Sequence, residues 1–275
     1  MPDPEEERMP AVGRISGALD ALGALTEGLS AGSVQVVDLT QPLSDKTPII
    51  QLPEPFVNTP GFSMTELSRY DDRGPAWYWN ELHLGEHVGT HFDAPVHWIT
   101  GKDLDDLASI DPARLIGPTA VIDKRAEAAA DPDYLLTIDD IESFESEHGT
   151  LPAGGWLVYR TGWERYAQDQ GAFLNVDETG SHTPGVDPEC ARWIAQESGV
   201  VGLGVETVGT DAGLAGGFDP PFPCHSYMHG AGKFGLTQLA NLGELPARGA
   251  VIVVAPLKTV GGSGSPARAL ALVPN

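Results

Sequence analysis

Short runs rich in β-branched and apolar residues recur along this chain, and capped helical stretches separate them. Residues 34–39, 119–123, 156–161, 200–205, 251–255 and 267–273 each have strand length and composition. Thr137 opens a Thr-Ile-Asp-Asp capping box in which Asp140 stands where glutamate is usual, which predicts a helix to about His148. Asp187-Pro188-Glu189 places an N-cap before a first-turn proline and predicts a second helix to about Ser198. Strands alternating with helices imply an α/β domain around a largely buried sheet. Residues 43–79, rich in proline and aromatics, read as a long irregular loop with a functional role.

Two segments follow from this pattern: an N-terminal helical piece over residues 1–33 and a domain over 34–275. In the first, Ile15, Leu19, Leu22, Leu25 and Leu29 recur at three- and four-residue steps, which predicts an amphipathic helix ended by Gly28 and the Ala31-Gly32-Ser33 stretch. A greasy stripe ahead of a domain must cover something, and a second subunit would serve.

Composition narrows the function classes. Hydrophobic residues make up 41% and charged residues 20%, a globular balance. A net charge of −23 argues against nucleic acid and against anionic membrane surfaces as partners. No apolar run is long enough for a spanning helix, and the acidic start MPDPEEERMP does not read as an export signal. Cys190 and Cys224 are far apart and form no Cys-x-x-Cys pair, which suits a reducing cytoplasm.

The chemistry concentrates in Leu82-His-Leu-Gly-Glu-His-Val-Gly-Thr-His-Phe-Asp-Ala-Pro-Val-His97, which holds four of the chain's eight histidines. His87, His91 and Asp93 supply two imidazoles and a carboxylate, a set suited to Zn²⁺, Mn²⁺ or Fe²⁺ with coordination positions left open for water. Gly89-Thr90 between the histidines and Pro95 after them oppose a regular helix and place the ligands on a strand end and a tight loop. His97 has the chemistry of a proton shuttle, since an unperturbed imidazole titrates near about 6.5. His83 shares strand parity with His87 but lies farther back, so it reads as a core or supporting histidine.

The pattern His87-x-Gly-Thr-His-x-Asp-x-Pro-x-His97 resembles the signature of the cyclase-like metal hydrolases, the family that holds bacterial kynurenine formamidases and isatin hydrolases. Arg160-Thr-Gly-Trp163, Pro184-Gly-Val186, Gly204-Val-Glu-Thr207 and the closing Gly261-Gly-Ser-Gly-Ser-Pro-Ala-Arg268 resemble its later landmarks, so the likeness runs from about residue 35 to the end. It implies a single domain with a central mixed sheet of the swivelling β/β/α kind, flanked by helices. It also implies metal ligands at His87, His91 and Asp93, an acid–base role at His97, and a homodimer or homotetramer; Asp93, a catalytic candidate from its own chemistry, can orient the nucleophilic water with its outer oxygen. Relatives pair a later histidine with a Glu or Gln about twelve residues on. His225 fits the histidine, Thr237 stands at that spacing, and Gln238 follows it. His225 and Gln238 are therefore expected behind the metal, holding water, or at a second ion. One divalent cation, Mn²⁺ or Zn²⁺, is expected. Glu206 reads as a buried structural carboxylate.

The expected reaction is hydrolysis of an amide, lactam or N-formyl C–N bond in a small cyclic or aromatic substrate by metal-activated water. Trp77 and Trp79, with Phe56, are candidates to line the pocket, or else to fill a core or a subunit interface. Two other outcomes stay open: a lyase-type cyclase or dehydratase using the same Lewis acid, and a metal-binding protein without turnover.

Overall fold

The computed structural model describes residues 11–275, and side chains continuously from Leu19 onward. The acidic first ten residues and the side chain of Ile15 lie outside the described residues. The strands are β1 (Val34–Asp38), β2 (Ser63–Asp71), β3 (Gly74–His83), β4 (His91–Asp93), β5 (Ile116–Asp123) and β6 (Leu135–Leu136). The second half adds β7 (Trp156–Arg160), β8 (Gly185–Val186), β9 (Gly202–Val205), β10 (Phe234–Thr237), β11 (Arg248–Pro256) and β12 (Gly264–Pro274). The helices are α1 (Ala11–Ala31), α2 (Arg125–Ala130), α3 (Ile138–His148), α4 (Gln170–Leu174) and α5 (Pro188–Gln196).

One mixed sheet organises the domain, in the order β1-β12-β11-β5-β7-β9-β10-β4, and a further pairing of β4 with β12 closes it into a barrel. The strands β5, β7, β9 and β10 run parallel in series. Such strands are covered on both faces, which explains why they read as continuous apolar runs. Successive side chains point to opposite faces. Thus Ala120, Ile122, Leu157, Tyr159, Leu203 and Val205 pack outward under α3 and α5, against Ile141, Phe144, Ala191 and Ile194. Val121, Trp156 and Val158 turn the other way, to Phe92, Phe234, Leu236 and Ile252.

Both sequence-marked caps form. Thr137 Oγ1 accepts from the Asp140 N–H and the Asp140 carboxylate accepts from the Thr137 N–H, a reciprocal box at the start of α3. Asp187 caps α5, and Lys233 Nζ caps its other end by donating to the Ile194 and Ser198 carbonyls at 2.6 and 2.9 Å. Glu206 is buried and accepts from the Thr161 N–H, Thr161 Oγ1 and the Trp163 N–H at 2.7, 2.9 and 2.9 Å, which pins the turn after β7.

Two segments depart from the sequence reading. Residues 63–83 are not an irregular loop but a β2–β3 hairpin that forms its own two-stranded sheet. It stands off the barrel with apolar side chains exposed along it, among them Met64, Trp77, Trp79 and Leu82. Because neither face is buried in this chain, its sequence lacks the one-sided alternation that marks a half-buried strand. His83, expected in the core or behind the metal, ends this hairpin with a side chain 54% exposed beside Glu81. In α1 the helix is present, but Leu19 and Leu22 are 65% and 62% exposed, and Leu25 is half-buried. Among the described residues no helix is long and apolar enough to cross a membrane.

Candidate metal centre

The site is built on the shortest barrel strand. β4 lies between β10 and β12, with Asp93 opposite Gly235 on one side and Gly264 on the other. Phe92 points into the core against Phe234, ring centroids 4.9 Å apart, so period two sends His91 and Asp93 together to the opposite face. The flanking glycines are part of the design. A Cβ on Gly235 would stand 2.6 Å from Asp93 Oδ2, and one on Gly264 would run into the His87 ring. Just before the strand, Gly89 has φ 63, a left-handed turn that glycine adopts without strain, and a side chain there would also strike Leu43. After the strand, Pro95 starts a single 3₁₀ turn that folds His97 back until its ring stacks on His87 at 3.9 Å.

A second wall comes from a short π-helical turn, His225–His229. It brings the His225 and His229 rings to 5.5 and 5.8 Å from His97. Two donor groups result, each with atoms within 4.8 Å of one another: His87, Asp93 and His97, and Asp93, His225 and His229. Asp93 belongs to both. His91 Nε2 lies 3.4 Å from Asp93 Oδ1, so the third histidine of the motif also reaches the carboxylate.

The hydrogen bonds show what is missing between these groups. Ser263 Oγ donates to Glu86 Oε2 at 2.6 Å, so it receives the His87 Nε2 proton at 3.0 Å. His87 Nδ1 lies 2.8 Å from Asp93 Oδ1, an approach that a proton or a cation between the two atoms satisfies. His91 Nδ1 donates to the Gly89 carbonyl at 2.8 Å, and its Nε2, on the Asp93 side, lies 3.2 Å from Thr237 Oγ1. His229 Nδ1 meets the Lys233 carbonyl at 3.1 Å, while its Nε2 is buried without a partner. One buried imidazole nitrogen without a partner, and others gathered around the same carboxylate, are an arrangement a divalent cation satisfies.

The electrostatics agree. Burial pushes His91 and His229 down to about 4 and His97 to about 2, with repulsion from neighbouring imidazoles adding to it against the pull of Asp93. These rings are neutral, the form that binds metal. Burial opposes the charge on Asp93, yet the attraction of His91 and the hydrogen bond from His87 hold its carboxyl well below the usual range. For His225, burial is outweighed by the hydrogen bond and charge of Asp211, which raise it.

Other residues singled out in the sequence sit differently. Gln238 is buried with φ 53, and its Nε2 donates to the Pro48 carbonyl at 3.2 Å, so its amide anchors the 41–52 loop. Its backbone carbonyl accepts from Thr90 Oγ1 of the motif at 2.6 Å, and the neighbouring Thr237 reaches His91, its Oγ1 2.9 Å from Nδ1. Trp77, Trp79 and Phe56 are exposed. The aromatics that border the histidines are Trp98, 4.8 Å from the His225 ring, and Phe222, 5.7 Å from Trp98. Neither carries a sequence signal, because proximity to the site comes from the folding of two distant turns.

The comparisons with known proteins fit this geometry. The sequence profile of the cyclase family matches residues 37–212. Isatin hydrolase of Roseibium aggregatum is 52% identical over 260 residues, covering 94% of this chain and 98% of that protein. Kynurenine formamidase of Salinibacter ruber is 28% identical over 196 residues, covering 69% and 77%. The crystal structure of an isatin hydrolase bound to the product analogue thioisatinate superposes with a TM-score of 0.91 at 52% identity, covering 94% of this chain and 99% of that one. From its motif, its closed mixed barrel and these matches, the chain belongs to the cyclase family of metal-dependent hydrolases.

Proposed function

We propose that this protein hydrolyses the C–N bond of a cyclic aromatic amide of the isatin type, with one Mn²⁺ or Zn²⁺ held by His87, His91 and Asp93. The convergence of imidazole nitrogens on the buried carboxylate of Asp93 carries the reading. Identity of 52% to an isatin hydrolase over nearly the whole chain supports the substrate class.

When bound, the cation polarises the substrate carbonyl and acidifies water. The chain's own groups supply the rest. His97, whose ring lies 3.9 Å from that of His87 and 5.5 Å from that of His225, accepts the proton released as water attacks the carbonyl carbon. It then gives that proton to the leaving nitrogen as the C–N bond breaks, and a carboxylate and an aromatic amine result. Asp93 orients the attacking water, and Trp98 and Phe222, edge to face, offer an apolar wall beside the histidines. The test is turnover of isatin in ¹⁸O-labelled water before and after dialysis against a chelator. Ring-opened product carrying the label, activity lost on chelation and restored by Mn²⁺ or Zn²⁺, is expected. A product without label would point instead to cyclase or dehydratase chemistry. No turnover of isatins, lactams or formanilides by metal-loaded protein would leave a metal-binding role only.

The exposed aromatics call for a partner surface, and a second copy of the chain is the occupant proposed. Trp77 and Trp79 on the hairpin, with Phe56 nearby in sequence, and the Leu19 and Leu22 stripe of α1 then become subunit contacts or pocket walls. Gel filtration of the full chain is expected to give at least a dimer of the 29.1 kDa protomer, reduced by deletion of residues 1–31. Monomeric elution of the intact protein would overturn this. Two free, buried cysteines fit a cytoplasmic location.

A further inference from the structure

The turn that presents His225 and His229 begins against a carboxylate in the loop after β9. Asp211 is 7% exposed. Its Oδ1 accepts from the Cys224 N–H at 2.7 Å, and its Oδ2 accepts from the His225 N–H at 3.1 Å and lies 2.5 Å from His225 Nδ1. All three donors belong to the start of one turn, and Asp211 reaches them from 13 and 14 residues upstream. One side chain therefore anchors the backbone of the turn and the ring that the turn carries.

The consequence for His225 is specific. An ionised carboxylate only accepts hydrogen bonds, so the ring nitrogen facing it must carry the proton. With Nδ1 protonated, Nε2 is left on the side of Asp93 and His229, the group whose donor atoms converge within 4.8 Å. The ring has little freedom to turn over, because Trp98, His229 and His97 surround it at 4.8, 5.4 and 5.5 Å. A carboxylate behind an imidazole also makes its outer nitrogen more basic.

We propose that Asp211 is a positioning residue for the hydrolytic site: it holds His225 in one orientation with the proton on Nδ1, so that Nε2 faces the metal-binding carboxylate. This rests on the hydrolase reading only through the place of His225 in the donor group with Asp93 and His229. Asp211 touches no reacting atom.

Asp211→Asn is the informative change. The amide keeps the size of the side chain and one acceptor oxygen for the backbone N–H groups, but it cannot accept on both sides. The variant is expected to stay folded by circular dichroism and to lose about 10–100-fold in kcat/KM, the usual cost of removing an outer partner of a metal-site histidine. In a His225→Gln background the same change is expected to add little further loss, since the two residues act as a unit. An equal loss in both backgrounds would overturn the proposal, as would wild-type kcat/KM in the single variant. Nitrogen-15 NMR of side-chain imidazoles in the zinc-loaded wild-type protein gives a readout independent of turnover and of any variant's folding. His225 protonated at Nδ1 supports the proposal, and His225 protonated at Nε2 overturns it. Failure of the hydrolase reading would appear as absent turnover with the Nδ1 signature intact, so the two are separable.

Discussion

Asp93→Asn is expected to leave the barrel folded, abolish tight binding of a divalent cation, and lower kcat/KM on the order of 10³-fold. The substitution keeps the shape that Gly235 and Gly264 accommodate on either side of the strand. It removes the carboxylate shared by both groups of converging donors. The remaining donors are imidazoles, which bring no charge to balance the ion. Lewis acidity contributes several kcal/mol to such reactions, and each ~1.4 kcal/mol lost is a factor of ten in rate. The amide still reaches His87 Nδ1, 2.8 Å away in the wild type, but without the charge. Equilibrium dialysis against Mn²⁺, together with steady-state kinetics, measures both effects. Unchanged cation affinity, or a rate within a few-fold of wild type, would remove the basis of the proposed function.

The metal-free protein is expected to lose stability steeply in mild acid. An unfolded histidine titrates near about 6.5. The buried rings of His91 and His229 refuse the proton until about pH 4, and that of His97 until about pH 2. Below about pH 6.5 the unfolded chain thus binds protons that the folded chain does not, so stability falls with pH. Each ring costs up to ~1.4 kcal/mol per pH unit, and three rings acting together from about pH 6.5 to pH 5 give roughly 6 kcal/mol. The raised pKa of His225 does not offset this. Its stabilisation is already complete below the unfolded value and is lost only as pH rises through the folded one. Asp93, held low, loses its contribution only far below this window. Urea unfolding of chelated protein at pH 7.5, 6 and 5 is the measurement. A flat unfolding free energy across that range would show that the histidines are not buried as neutral rings. Bound cation should move the whole loss to lower pH, because protons must then compete with metal for the same nitrogens.

Legibility in the sequence followed the range of the interaction. The caps of α3 and α5 are contacts between near neighbours, so Thr137, Asp140 and Asp187 announced them. The parallel strands announced themselves because both of their faces are covered. The hairpin over residues 63–83 did not, because its faces are left open within one chain. In the site, the histidine motif was plain, the spacing from His225 marked Thr237, and the side chains of Trp98, Phe222 and Asp211 were not legible. Thr237 reaches His91 across 146 residues, and Asp211 has no pattern of its own. The sequence placed Gln238 near the metal by its spacing from His225, and the fold turns its amide to Pro48.

What the amino-acid order determined alone is the α/β class, the ends of helices α3 and α5 and a candidate donor set of two histidines and an aspartate on a glycine-kinked strand end. Local periodicity and the chemistry of single residues are enough for that. Only the tertiary structure decided that the sheet closes through β4 and β12, that a turn more than a hundred residues later brings His225 and His229 to the same carboxylate, and that Asp211 holds that turn. Those contacts join distant segments, and packing of the barrel selects them.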